Sequence, residues 1–327
     1  MLKFVDLFCG GGFGARGAVN AGASPLLAVD AWDIATETYK ANFPNTEVIN
    51  AKIEVVDPYS LALKYQPDVL LTSPECTSHS IARGSRPGCE TSKASALGII
   101  PWIFAMSPRW VIVENVPRMK QWNRHSDLIK GIESAGYKVN PLLLNAADFG
   151  TPQARKRMFL ICDRLQTRIT EADFYSLRDN QRLSASSIID QTKQYKSNPL
   201  YAETRAKATI QRAERAIAEL GPNKDFLIVY YGSDYAGGWQ RLEDPLRTVT
   251  TLDRFGLVTW LDNRPNLRML QPSELMKAMG TGCNHLLPIG TRRDKVKLCG
   301  NGVCSPVMEV IFAKINQIME LELQMVS

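Results

Sequence analysis

A cysteine and a glutamate each follow an apolar run, where a buried strand would deliver side chains into a site. Cys76 follows the run DVLLTS, within the stretch TSPECTSHS. Its thiol can be a nucleophile or a metal ligand, although a lone cysteine is more often a buried, inert side chain. Glu114 ends the run WVIVENV. Burying a carboxylate there is costly unless something binds it, so Glu114 indicates either a ligand or a capping acid.

Three polar side chains alternate in the stretch TPQARKR, directly before the apolar run MFLIC. In an extended segment, a spacing of two places Gln153, Arg155 and Arg157 on the same side of the chain. This row can face a ligand, or it can be an ordinary solvated basic edge.

Glycines follow the first predicted strand in the stretch DLFCGGGFG. They allow the backbone to approach a ligand, and the next helix directs its N-terminus towards it, although a tight turn without a ligand has the same sequence. Asp30 ends the second predicted strand, about 20 residues further on, where a carboxylate can hold the two hydroxyls of a ribose. Together, the turn and Asp30 favour a nucleoside-containing cofactor.

Strands and helices alternate through residues 1–165. The runs KFVDLF, PLLAVD, DVLLTS, WVIVENV and RMFLICD are continuous and apolar, as strands of a parallel sheet buried on both faces should be. This order predicts an α/β fold, a doubly wound Rossmann-like sheet with ligands at the carboxyl ends of its strands.

Residues 166–264 differ in character and predict a second, smaller domain. They begin with a polar stretch, then contain a helix at 202–220 and three strands, FLIVYYGS, PLRTVTT and GLVTWL. Residues 265–327 return to helical periodicity and are expected to pack back on the first domain.

Composition limits the class of protein. The 327 residues are 45% hydrophobic and 22% charged, without an apolar run of 18 residues or a signal-peptide pattern, which predicts a cytoplasmic protein with no membrane partner. Seven cysteines form no CxxC pair, and only three histidines are present, so neither a disulfide framework nor a metal site is predicted. The net charge of +6 modestly favours a polyanionic partner.

Taken together, the chain resembles the DNA cytosine-5 methyltransferases. The resemblance is carried by DLFCGGG, TSPEC, ENVP, DFGTPQARKRMFLIC and GNGVCSPV, which stand in the family's order across nearly the whole sequence. A variable region separates the fourth stretch from the fifth, as it does in the family.

The resemblance implies covalent catalysis with S-adenosylmethionine, which leaves S-adenosylhomocysteine as product. Cys76 matches the cysteine that adds to C6 of cytosine, and the ring then attacks the donor's methyl group through C5. Glu114 matches the glutamate that contacts N3 and the exocyclic amine, and Arg157 the arginine near O2. Arg155 and Gln153 match positions that support the base pocket and the loop. The implied cofactor residues are Phe8, Gly10, Gly12, Asp30, Ile53, Asn301 and Val303.

Double-stranded DNA is the partner that the resemblance implies. The target cytosine must be flipped out of the duplex, at a cost of a few kcal/mol. The segment after Cys76 is rich in Ser and Gly and carries Arg83, Arg86 and Lys93, which are expected to contact DNA together with Gln153. A surface loop without such a role is the alternative. The enzyme is expected to be a monomer of bacterial or phage origin, with a cognate restriction endonuclease as a further candidate partner.

Several positions depart from the family's pattern. Glu75 takes the place of the proline that usually precedes the cysteine, where its charge could raise the pKa of the thiol. Lys52 takes the place of the acid before Ile53, and Ala31 that of the aromatic residue after Asp30, with Trp32 next. These changes fall on the expected contacts with adenine.

Three other functions compete with this interpretation. An RNA (tRNA) cytosine-5 methyltransferase would use a related scaffold, against which the long second domain argues. A catalytically inactive DNA-binding relative would not need Cys76, Glu114 and Arg157 together. A nucleotide-binding oxidoreductase would use the glycine-rich turn but has no use for ENVP or PQARKR.

Overall fold

A computed structural model describes residues 1–74, 95–178, 181–192, 194–231 and 237–326. The expected nucleophile Cys76 and the expected DNA contacts Arg83, Arg86 and Lys93 lie outside these residues. The strands are β1 Lys3–Leu7, β2 Ser24–Asp30, β3 Glu47–Asn50, β4 Val69–Thr72, β5 Trp110–Asn115, β6 Lys138–Asn145, β7 Gln153–Ala154, β8 Lys156–Asp163, β9 Asn198–Pro199, β10 Phe226–Val229, β11 Trp239–Arg241, β12 Leu246–Arg247, β13 Phe255–Leu261 and β14 Arg264–Met269.

The α-helices are Phe13–Asn20, Asp33–Asn42, Pro58–Ala62, Ile99–Met106, His125–Ser134, Lys207–Leu220, Pro272–Ala278, Arg292–Asn301 and Ser305–Val326. Short 3-10 helices are Ile53–Val55, Ser95–Gly98, Pro117–Gln121, Ala146–Asp148, Glu171–Leu177 and Ala185–Ile188.

The large sheet has seven strands in the order β3-β2-β1-β4-β5-β8-β6. Every neighbouring pair from β3 to β5 is parallel, whereas β8 is antiparallel to both β5 and β6. The predicted α/β class with a Rossmann-like sheet is confirmed. Because β8 runs the other way, its beginning meets the carboxyl end of β5. This reversal brings TPQARKR beside ENVP.

The second sheet has five strands in the order β11-β10-β13-β14-β9. Helix Lys207–Leu220 covers it through Ala213 and Ala216, which share a small core with Phe226 and Trp239. Strand β14 belongs to this sheet although all but its first residue lies beyond the predicted limit at residue 264. Phe174 packs into a buried cluster that contains residues of both sheets, among them Phe4 and Leu257. The domain boundaries at 166 and 264 stay a prediction.

The C-terminal helix Ser305–Val326 packs against helix Phe13–Asn20. The Ser305 hydroxyl donates to the Phe13 carbonyl at 2.7 Å, and a side chain on Gly17 would lie 2.0 Å from the Ser305 carbonyl oxygen. The stretch Arg292–Met325, which includes this helix, is long and apolar enough to cross a membrane by composition, but 61% of its apolar window is buried in the protein, including Met308 and Phe312. Packing therefore explains most of its apolar residues, although Leu321, Leu323 and Met325 are exposed.

A buried ion pair joins β14 to the helix that follows. Arg268 donates from both terminal nitrogens to the Glu274 carboxylate at 2.7 Å, and Glu274 is fully buried. Glu274→Ala would leave the guanidinium buried without its partner, so we expect the free energy of unfolding to fall by about 3–5 kcal/mol. Urea denaturation measures this loss. Glu219→Ala is the control, because the pair of Glu219 with Arg241 is largely exposed and should contribute less than about 1 kcal/mol.

Candidate active site

The glycine-rich turn after β1 opens onto unfilled space at Gly10. Gly10 has a φ of 52°, and a Cβ built there would meet no atom within 4 Å. Phe8 also has a positive φ, 56°, which is uncommon for a residue with a side chain and bends the chain away from the strand. The turn therefore leaves exposed backbone and open room at the carboxyl end of β1.

Asp30 closes this space from the neighbouring strand. The Gly10 amide donates to one carboxylate oxygen at 2.9 Å, and the Trp32 amide donates to the other at 2.8 Å. Burial raises the pKa of the Asp30 carboxyl, while these two amides and the positive charge of Lys297 act against the rise. The carboxylate is thus fixed in orientation beside the turn.

The other expected cofactor residues lie in three different environments. Ile53 is buried, and its carbonyl accepts from the Trp102 indole at 3.3 Å. Asn301 is exposed at the end of its helix. Val303 is buried, within 3.6 Å of a Cβ built on Gly14, so the 300–303 turn packs against the helix that follows the glycines.

Glu114 and Arg157 form an ion pair at the junction of β5 and β8. The Nε of Arg157 lies 3.1 Å from a carboxylate oxygen of Glu114, and the two side chains are 15% and 8% exposed. Burial raises the pKa of the Glu114 carboxyl, and the positive charges of Arg157 and Arg155 oppose this shift. A carboxyl group of this kind can hold a proton nearer neutral pH than a solvated glutamate does.

Asn115 is a functional candidate that the motif reasoning passed over. Its side-chain amide donates to the Pro74 carbonyl at 3.1 Å, and its side-chain oxygen accepts from the Val116 amide at 2.8 Å. Pro74 stands two positions before Cys76 in the sequence. Asn115, which follows Glu114 in the sequence, therefore holds Pro74, the residue two positions before the expected nucleophile. Its position in ENVP, directly after Glu114, is the sequence feature that could have predicted this role.

Gln153 and Arg155, two of the three alternating polar residues in TPQARKR, are more deeply buried than expected. The Gln153 side chain is fully buried, where its amide group donates to the Ala278 carbonyl at 2.9 Å and accepts from the Val249 amide at 2.8 Å. This placement contradicts the expected DNA contact, because the side chain is enclosed by protein. Arg155 is 3% exposed and donates to three backbone carbonyls. The expected catalytic role of Arg155 stays a prediction.

The sequence model of one family, C-5 cytosine-specific DNA methylase, matches residues 2–317. The chain belongs to this family of cytosine C-5 methyltransferases, and the resemblance seen in its motifs is confirmed.

Among individual relatives, Type II methyltransferase M.HgiDI of Herpetosiphon aurantiacus is 28% identical over 230 residues, 66% of this chain and 73% of that protein. Type II methyltransferase M.DdeI of Desulfomicrobium norvegicum is 32% identical over 169 residues, 49% of this chain but only 40% of that protein. Human tRNA (cytosine(38)-C(5))-methyltransferase is 29% identical over 168 residues, 49% of this chain and 42% of the human protein.

Solved structures agree with the fold. A DNMT2 variant from Spodoptera frugiperda superposes with a TM-score of 0.71 at 17% identity, covering 96% of this chain and 99% of that one. The S. pombe Dnmt2 methyltransferase has a TM-score of 0.70 at 16% identity, covering 98% of this chain and 99% of that one. At this identity the likeness shows the fold alone.

Membership of the family implies S-adenosylmethionine as methyl donor, and the observed turn suits its adenosine half. The open space at Gly10 can receive a ribose, and Asp30 presents its fixed carboxylate there. Asn301 and Val303 lie on the 300–303 turn, which packs against helix Phe13–Asn20 after the glycines. These residues would hold the donor, which supplies an electrophilic methyl group when bound.

Lys297 is a second residue that the motifs did not reveal. Its ammonium lies 4.0 Å from the centre of the Trp32 ring, and Trp32 in turn bonds Asp30 through its backbone amide. An ammonium over an indole is attracted by the ring's π electrons. Lys297 therefore stabilises Trp32, whose backbone amide holds the Asp30 carboxylate.

Lys297→Met is expected to weaken binding of S-adenosylhomocysteine about 2–5-fold, the scale of an exposed cation–π contact. Lys297→Arg should retain most of the affinity, because a guanidinium can also lie over the ring. Isothermal titration calorimetry gives both dissociation constants. Lys40→Met, at an exposed pair with Glu37, is the control. An unchanged dissociation constant in Lys297→Met would remove this lysine from the site.

Proposed function

We propose that the protein is a DNA (cytosine-5)-methyltransferase that acts on a flipped-out cytosine through a covalent bond between Cys76 and C6. The observation that supports this most is the buried pair of Glu114 and Arg157, located where the chain leading to Cys76 is anchored. A base inserted here would meet an acid and a cation on its hydrogen-bonding edge.

The reaction divides into steps that this chain's residues can perform. The Cys76 thiolate adds to C6, and negative charge moves towards N3 and O2 of the ring. Glu114, whose pKa burial raises, supplies a proton or a hydrogen bond at N3, and Arg157 stabilises charge at O2. C5 would then take the methyl group as its bond to the donor's sulfur breaks, which leaves S-adenosylhomocysteine. A base would remove the C5 proton, Glu114 would recover any proton that it gave to N3, and the thiolate would leave C6 as the double bond between C5 and C6 re-forms.

DNA is the proposed substrate because the family is named for DNA methylation. The second sheet is proposed to recognise the sequence, and Arg83, Arg86 and Lys93 to contact the phosphates. We further propose a cytoplasmic, monomeric enzyme of bacterial or phage origin. A cognate endonuclease is a candidate partner, since Type II methyltransferases are among the relatives.

tRNA is the second candidate substrate, favoured by the likeness to the human tRNA methyltransferase. Transfer of radiolabelled methyl to duplex DNA and to tRNA, in parallel reactions, separates the two. We expect label in DNA alone. Label in tRNA alone would replace the proposal by its rival, and bisulfite sequencing of DNA from expressing cells would give the methylated site.

A further inference from the structure

Two buried side chains hold one residue of the segment that leads into the second sheet. The Val249 amide donates to the Gln153 side-chain oxygen at 2.8 Å, and Arg155 donates to the Val249 carbonyl at 2.8 Å. The backbone amide of Val249 is thus bonded to Gln153, and its backbone carbonyl is bonded to Arg155. Val249 itself is 2% exposed, so water does not compete for these bonds.

The same guanidinium holds the turn that carries the expected cofactor residues. Arg155 donates to the Gly300 and Gly302 carbonyls at 2.9 Å each, on either side of Asn301. Gly300 also lies against the backbone of Thr250, since a Cβ built on Gly300 would stand 2.3 Å from the Thr250 carbonyl carbon. The cofactor turn and the 246–250 segment are therefore in direct contact, with Arg155 bonded to both.

The 246–250 segment is in turn joined to both domains. Leu246 and Arg247, which form β12, pair with Gln153 and Ala154 of β7, next to the strand that carries Arg157. Tyr231, two residues after β10 of the second sheet, donates its hydroxyl to the Thr248 carbonyl at 2.9 Å. A shift of the second sheet would consequently move the carbonyl that Arg155 holds.

We propose that Arg155 is a positioning residue that couples the cofactor turn to the second sheet, so that binding of cofactor product and of DNA strengthen each other. This inference rests on the proposed function, since it takes DNA as the ligand of the second sheet. Arginine suits the role because its planar guanidinium donates to several carbonyls at once, whereas a lysine ammonium is a compact charge on a flexible stem. Coupling between two sites is reciprocal, so each ligand should raise the affinity of the other by the same factor.

The experiment measures the dissociation constant of S-adenosylhomocysteine by calorimetry, with and without saturating duplex DNA that contains the methylated site. The wild-type ratio of the two constants should be about 5–150-fold, and the same factor should appear when DNA is titrated with and without S-adenosylhomocysteine. In Arg155→Lys we expect the ratio to fall to within about twofold of one. Arg182→Lys, an equivalent exchange at an exposed pair with Asp148, should keep the wild-type ratio.

A second variant tests the link from its other end. Tyr231→Phe removes only the hydroxyl that bonds Thr248, while the ring keeps its edge contact with Phe255. Tyr231→Phe should lower the ratio of the two dissociation constants, with little change in the midpoint of thermal unfolding. If Arg155→Lys does not fold, Tyr231→Phe alone tests the coupling.

The outcomes separate this inference from the proposed function. A wild-type enzyme that methylates DNA but shows a ratio near one, or folded variants that keep the wild-type ratio, would overturn the coupling alone. A wild-type protein that neither binds nor methylates DNA would overturn both.

Discussion

Cys76→Ala should abolish methyl transfer, because Cys76 is the thiol proposed to add to C6 of the target cytosine. Duplex DNA carrying 5-fluorocytosine at the target should trap the wild-type enzyme as a complex that survives denaturation. Fluorine cannot leave C5 as a proton does, so the bond between the sulfur and C6 persists. The trapped complex should require S-adenosylmethionine and should be lost in Cys76→Ala.

Cys89→Ala is the matched control for this experiment. Cys89 stands within the Gly- and Ser-rich stretch after Cys76 and is expected to take no part in the chemistry. Denaturing gel electrophoresis shows the complex, and peptide mapping locates the bond. A crosslink at Cys89, or methylation by Cys76→Ala, would refute the proposed mechanism.

Glu114→Gln should slow methyl transfer about 10²–10⁴-fold, the usual contribution of a positioned acid or base. Glutamine has nearly the same shape, but it cannot supply a proton to N3, and it removes the charge that faces Arg157 at 3.1 Å. We expect the dissociation constants for DNA and cofactor to stay within about threefold of wild type, because the loss falls on the transition state. Single-turnover kinetics measure the chemical step.

Glu133→Gln serves as control, since Glu133 is exposed on helix His125–Ser134 away from this pair. If Glu114→Gln transferred methyl within about threefold of the wild-type rate, Glu114 would have no place in the mechanism. A weaker affinity for DNA with an unchanged chemical step would assign Glu114 to binding instead.

Local pattern accounts for the parts of the site that lie on single elements. Continuous apolar runs predicted strands that are buried on both faces, and β4 and β5 are such strands, with Glu114 at the end of β5. The glycine turn and Asp30 were predicted to serve one nucleoside-containing cofactor, and the Gly10 amide bonds the Asp30 carboxylate. Neighbouring parallel strands end at the same edge of a sheet, so order along the chain sufficed here.

Residues that act through distant partners could not be placed in this way. The spacing of Gln153, Arg155 and Arg157 put them on one side of the chain, but a period of two does not say what that side faces. The run PLRTVTT was predicted as a strand of the second domain. Its short strand β12 instead pairs with β7, and Gln153 and Arg155 form hydrogen bonds with the backbone of Val249.

The sequence by itself determined the family, the α/β class and the identity of the groups proposed for catalysis, because motifs and hydrophobic periodicity are local properties of the chain. Only the tertiary structure decided that β8 runs against β5 and so sets Arg157 beside Glu114. It also decided that Asn115 bonds the Pro74 carbonyl and that Lys297 covers Trp32. These contacts join residues far apart in sequence, and their geometry depends on strand direction and on the packing of the whole core, which no local pattern specifies.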